Sequence, residues 1–262
     1  AAFAAGNNAE INAAVTAGNN AAVAAGNNAA LNADITAQKN ASITAANDVT
    51  GAGNVTATDE AATITAGRDV AITGTVTAGT DAAITAKNNA SVAAVTAGND
   101  AVIEATEGNA ALTDAVKAAE NVTVVAGKDV TADAAITATN GNVEVTAGED
   151  ADLKATVTAG TDATVTAQVN AAVADVTAQN VTVTATEGNA AINGAIEATT
   201  GAADITAGMD AVIDGTVTAA TDATVTAGKD AEINAAVTAG NNAAVTAGND
   251  AVLNADITAQ KN

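Results

Sequence analysis

Between Gly228 and Gly248 apolar side chains fall at every second residue: Ala231, Ile233, Ala235, Val237 and Ala239, then, past a corner, Ala243, Val245 and Ala247. The positions between them carry Glu232, Asn234, Ala236, Thr238, Ala244 and Thr246. A period of two gathers the apolar set on one face of a strand and gives a helix no coherent face. Val, Ile and Thr at the strand centres suit a pleated surface. Gly228-Lys229-Asp230 and Gly240-Asn241-Asn242 interrupt the alternation. They predict corners, because Gly and Asn tolerate positive φ and Asp or Asn side chains bond the backbone of their own turn. A gentler bend is predicted near Asn234-Ala235, so the unit is three short strands wound into a triangular coil.

This unit recurs along the chain. Corner residues step through Gly6, Gly18, Gly26, Gln38 and Ala46 and on to Gly228, Gly240, Gly248 and Gln260. Long and short steps alternate, about twelve and about eight residues, so a coil takes about twenty and the chain holds about thirteen coils. A lone coil buries too little apolar surface to offset the entropy of ordering it, so coils must stack. The predicted fold is all-β: a single continuous parallel β-helix (β-solenoid) over residues 1–262. At about 4.8 Å per coil the stack is about 60 Å long.

Departures from the period sit in turns. Lys87 to Gly98 and Gln168 to Gln179 are each one residue short, yet Ala90/Val92 with Val95/Ala97, and Ala171/Val173 with Val176/Ala178, stay intact. Extra residues stand at Asp59-Glu60 and Glu107-Gly108-Asn109. A slip inside a strand would turn its apolar face outward, which confines length changes to corners and bends. Asn8 to Val15 nearly repeats Asp230 to Val237, and neither end carries a helix or a bulky cap. Uncapped ends predict a slice of a longer fibre or a subunit that stacks on itself end to end.

Composition narrows the partners. Asp+Glu number 30 against 8 Lys+Arg, a formal net charge of −22. Phosphate binding needs clustered cations, so nucleic acid and anionic membrane surfaces are not expected partners. No apolar run is long enough for membrane insertion as a helix. The chain has no Pro, Cys, Trp, Tyr or His and one Phe, so its core must be thin.

The run Ile64-Thr65-Ala66-Gly67-Arg68-Asp69-Val70-Ala71-Ile72-Thr73-Gly74-Thr75-Val76-Thr77-Ala78-Gly79 resembles the repeats of filamentous-haemagglutinin-type adhesins. Those are giant bacterial surface or secreted proteins exported by the two-partner route. The resemblance covers the whole chain, although Ala is heavier here. It implies a right-handed coil, an extracellular or cell-surface location, and a host or neighbouring-cell surface as a partner.

Candidate sites are few. With His and Cys absent and Ser42 and Ser91 the only serines, no Ser-His or Cys-His pairing exists, and an enzyme is not expected. No catalytic, cofactor-binding or metal-binding residue is assigned. Asp69, Asp81, Asp100, Asp129, Asp150, Asp162, Asp210, Asp222, Asp230 and Asp250 each follow a corner by two residues. They read as turn hydrogen-bonders; the alternative is calcium held between carboxylates of neighbouring coils. Thr63/Thr65, Thr164/Thr166, Thr182/Thr184 and Thr224/Thr226 read as outward ladders, the alternative being an ice-binding face. Asn54-Val55-Thr56 and Asn121-Val122-Thr123 match glycosylation sequons, as chance supplies in a chain rich in Asn and Thr. Gly51-Ala52-Gly53 precedes no helix signal and predicts no nucleotide site. The leading expectation is a structural segment of an extracellular fibre or adhesin stalk. An adhesive or calcium-stiffened binding module is the second.

Overall fold

The computed structural model describes residues 1–261. Its first coil runs through β1 (Ala2–Ala5), β2 (Ala9–Ile11) and β3 (Val15–Ala17). The same triplet recurs to the last coil, Ala243–Ala247, Ala251–Leu253 and Ile257–Ala259. Strands stack coil over coil into three parallel sheets of 13 strands, and among the described residues there is no helix. The chain is a β-solenoid, as its period predicts.

The alternation sets which side chains form the core. In the second coil Ala21, Val23, Ala25, Ala29, Leu31, Ile35 and Ala37 are all buried. Small Ala methyls flank the corners and one larger side chain stands at or near the middle of each wall. Successive coils align like on like: Ile43, Ile64, Ile84 and Ile103 form one continuous row. No polar or charged side chain is buried among the described residues. Backbone pairing carries on through the corners, as where Gly26 N–H donates to Ala5 C=O at 2.8 Å and Asn27 N–H to Asn7 C=O at 3.0 Å.

The bends and insertions fall where the alternation requires. Ala235 continues the apolar spacing in sequence, yet it lies in the bend between Ala231–Ile233 and Val237–Ala239 and is only half-buried. The two short coils close the bend with two residues, Ala93-Ala94 and Ala174-Asp175. The extra residue at Asp59-Glu60 lies in the corner between Val55–Ala57 and Ala62–Ala66.

The corner glycines correct the expectation of positive φ. Among the described residues Gly51 alone has φ in that region, at 148°. At the corners of later coils glycine serves close approach. A Cβ on Gly26 would lie 2.3 Å from the Gly6 carbonyl oxygen, and one on Gly228 would lie 2.1 Å from that of Gly208. Stacked corners leave no room for a methyl on that backbone path. Gly51 itself replaces a core side chain, standing between Leu31 and Ile72 in their inward row.

Candidate functional site

The corner Asp and Asn residues build the most regular polar feature of the molecule. At the corner between the first and second sheets, Asn8, Asn28, Asp48, Asp69, Asn89, Asn109, Asp129, Asp150, Asn170, Asn189, Asp210, Asp230 and Asp250 form one file. Each Oδ1 accepts from the backbone N–H of the next residue in the file, at 2.9–3.3 Å, without a gap. The expected bond within each residue's own turn is thus replaced by one to the turn above. It satisfies an N–H that the sheets do not use.

A second file at the corner between the third and first sheets is broken. It contains Asn20, Asn40, Asp81, Asp100, Asn121, Asn142, Asp162, Asn180, Asp222 and Asn242, but Ala61 and Ala202 interrupt it. Where Asn follows Asp, the amide adds a second donor. Asn89 Nδ2 lies 3.0 Å from Asp69 Oδ1, Asn170 Nδ2 lies 2.9 Å from Asp150 Oδ1, and Asn121 Nδ2 lies 2.9 Å from Asp100 Oδ1. Interleaved Asn therefore solvates the carboxylates it separates. The sequon residue Asn121 is committed to this file on both sides. Among the described residues no group of three or more acidic side chains is placed to hold a metal ion.

Cations also bridge coils. Lys39 lies 3.1 Å from Glu60, Lys87 3.6 Å from Glu107, and Lys154 2.8 Å from Asp133. Arg68 clasps Asp48 through both Nε, at 2.7 Å, and Nη2. That hydrogen bond holds the Asp48 carboxyl below the usual carboxylate range, against the pull of desolvation. A depressed folded pKa gives stability present above the unfolded value, about 3.9, and lost as pH falls through the folded one. Asp48→Asn is therefore expected to be less stable than the parent at neutral pH. The gap should close on acidification below pH of about 4. Paired urea titrations across pH check this; a gap that persists at the lowest pH would remove the ion pair as its cause.

The Thr pairs singled out from sequence lie on the outer face of the first sheet. There Thr164/Thr166 and Thr182/Thr184 are in register, while Val102/Glu104 and Ala22/Ala24 break the array. A more regular file lies on the third sheet, one Thr wide: Thr16, Thr36, Thr56, Thr77 and Thr96 stand in successive coils. Lys117 and Glu197 interrupt it further along. Its signal in sequence is the Val-Thr-Ala or Ile-Thr-Ala triplet before alternate corners, hidden because each strand supplies a single Thr.

Ser42 and Ser91 point outward on different sheets and do not meet. No helix is long and apolar enough to cross a membrane among the described residues. No protein-family model, curated protein or solved structure matches the chain. The site chemistry therefore rests on the files themselves.

Proposed function

We propose that this protein is a structural segment of an extracellular fibre or adhesin stalk, with copies stacking end to end. Its work is mechanical: reach and stiffness. In this reading it is not an enzyme, it holds no cofactor, and neither nucleic acid nor a bilayer interior is a partner. The likeness of Ile64–Gly79 to filamentous-haemagglutinin-type repeats points the same way and favours a cell-surface location.

The observation that carries the reading is pairing between neighbours only. Each strand bonds the strand one coil before and one coil after, through three unbroken sheets. Such an array is a rod whose length grows with coil number. Its polar files serve the stacking rather than a pocket.

Electron microscopy of the purified chain, with and without chelator, tests this. The expected result is thin unbranched filaments, unchanged by chelator, with an axial diffraction repeat of about 4.8 Å. Isolated particles at every concentration would remove the stacking. A melting temperature raised by calcium would replace the reading with the calcium-stiffened binding module, and thermal hysteresis would replace it with an ice-binding face.

A further inference from the structure

The three outer faces of the rod differ in charge. The outward side chains of the first sheet include Glu104, Glu144 and Asp204, and those of the second include Glu10, Asp152 and Glu232. The third sheet carries the long Thr file, and its two interruptions have opposite sign, Lys117 and Glu197. Lys117 is the only Lys or Arg in any strand among the described residues. In a chain with a formal net charge of −22, this one face is neutral along its strands. Lys117 and Glu197 are both exposed, and neither has an ion-pair partner in its own chain among the described residues. Thr137, Thr158 and Thr177 lie between them in successive coils, so Thr158 stands midway.

We propose that this face is an interface between two copies of the chain, packed third sheet on third sheet, with their rods antiparallel about a two-fold axis beside Thr158. Lys117 of each copy then meets Glu197 of the other. The rest of the file matches at the same time: Thr158 meets Thr158, Thr137 meets Thr177, Thr96 meets Thr218 and Thr77 meets Thr238. Such a two-fold contact closes as a dimer. The in-register parallel arrangement instead sets Lys117 against Lys117 and Glu197 against Glu197, which is repulsive. A parallel pair shifted to bring Lys117 onto Glu197 makes that match once and not twice. The acidic outer faces of the first and second sheets offer no such complement to a second copy. A strand about 10 Å wide and about ten matched coils of about 4.8 Å cover about 500 Å² per copy. About 1,000 Å² in total lies at the low end for specific contacts, so the dimer is expected to be weak and reversible. The contact runs along the side of the rod and does not depend on end-to-end stacking.

Thiol crosslinking reads this geometry, because the chain has no Cys of its own. With a short thiol–thiol crosslinker, Thr158→Cys is expected to give covalent dimers. Thr77→Cys alone is expected to give none, whereas its equimolar mixture with Thr238→Cys is expected to give them. End-to-end stacking holds copies of position 158 a whole rod apart, so it contributes no such product. Adding Lys117→Glu to Thr158→Cys should lower the dimer yield at least about tenfold, and adding Glu197→Lys as well should restore it. Every substituted position points outward from its strand, so the fold is kept. Dimers from Thr77→Cys alone would overturn the antiparallel register. A yield unmoved by Lys117→Glu, or not restored by the swap, would overturn the match between Lys117 and Glu197. No dimer from any of these chains would overturn the pairing itself, and thermal hysteresis alongside that result would assign the Thr file to ice.

Discussion

Ile103→Asp is expected to open the middle of the rod and leave its ends closed. Ile103 is fully buried between Ile84 and Val124, in an interior without a single polar side chain among the described residues. A carboxylate there has no cation and no donor, and the loss should exceed about 4 kcal/mol. The damage should stay local, because each coil touches only its neighbours. Amide exchange in Ala82–Ala86, Ala101–Ala105 and Val122–Ala126 should become fast. The strands Ala21–Ala25 and Ala223–Ala227 should keep their protection. Ile103→Val is the control and should cost about 0.5–1.5 kcal/mol, since Val124 and Val145 occupy the same row. Uniform loss of protection along the chain would show that the coils fold as one unit and not as a linear array.

The row that makes Ile103 so sensitive is legible in the sequence, because it is written in the chain's own period. Ile43, Ile64, Ile84 and Ile103 are about one coil apart, and alternation within each strand says which way they point. The bends are legible for the same reason: Ala93-Ala94 can lose a residue only where no alternation is kept. What the period does not reveal is the partner of a corner side chain. Asn28 could bond its own turn or the one above, and both choices satisfy the same spacing. The stacking distance decides, because it brings the Asn8 Oδ1 within 3.2 Å of the Asn28 N–H. The corner glycines were obscure for a related reason. Glycine signals both positive φ and close approach, and here a Cβ at Gly26 is excluded by the carbonyl of the coil below. Ala46 and Lys87 hold the equivalent corner in other coils, so the glycine is a preference of the local path and not a requirement of the fold.

Deleting one residue should have opposite consequences in a bend and in a strand. Without Ala134, the bend Asp133-Ala134-Ala135 becomes a two-residue bend like Ala93-Ala94. The Asp133 N–H bond to Leu112 C=O at 2.9 Å and the Ile136 N–H bond to Thr156 C=O at 3.1 Å match those kept at Ala93 and Val95. That chain is expected within about 0.5 kcal/mol of the parent, the range of an ordinary surface change. Deleting Thr123 makes Val122 and Val124 adjacent, so one of them must face water. Both are fully buried in the parent. Exposing one Val costs about 1.5–3 kcal/mol, and the shifted strand also falls out of register with Ala101–Ala105 below and Val143–Ala147 above. The strand deletion should therefore lower the urea midpoint several times further than the bend deletion. Equal midpoints would mean that inward and outward alternation does not hold the coils in register, and the stacking that every other property of this rod depends on would need a different cause.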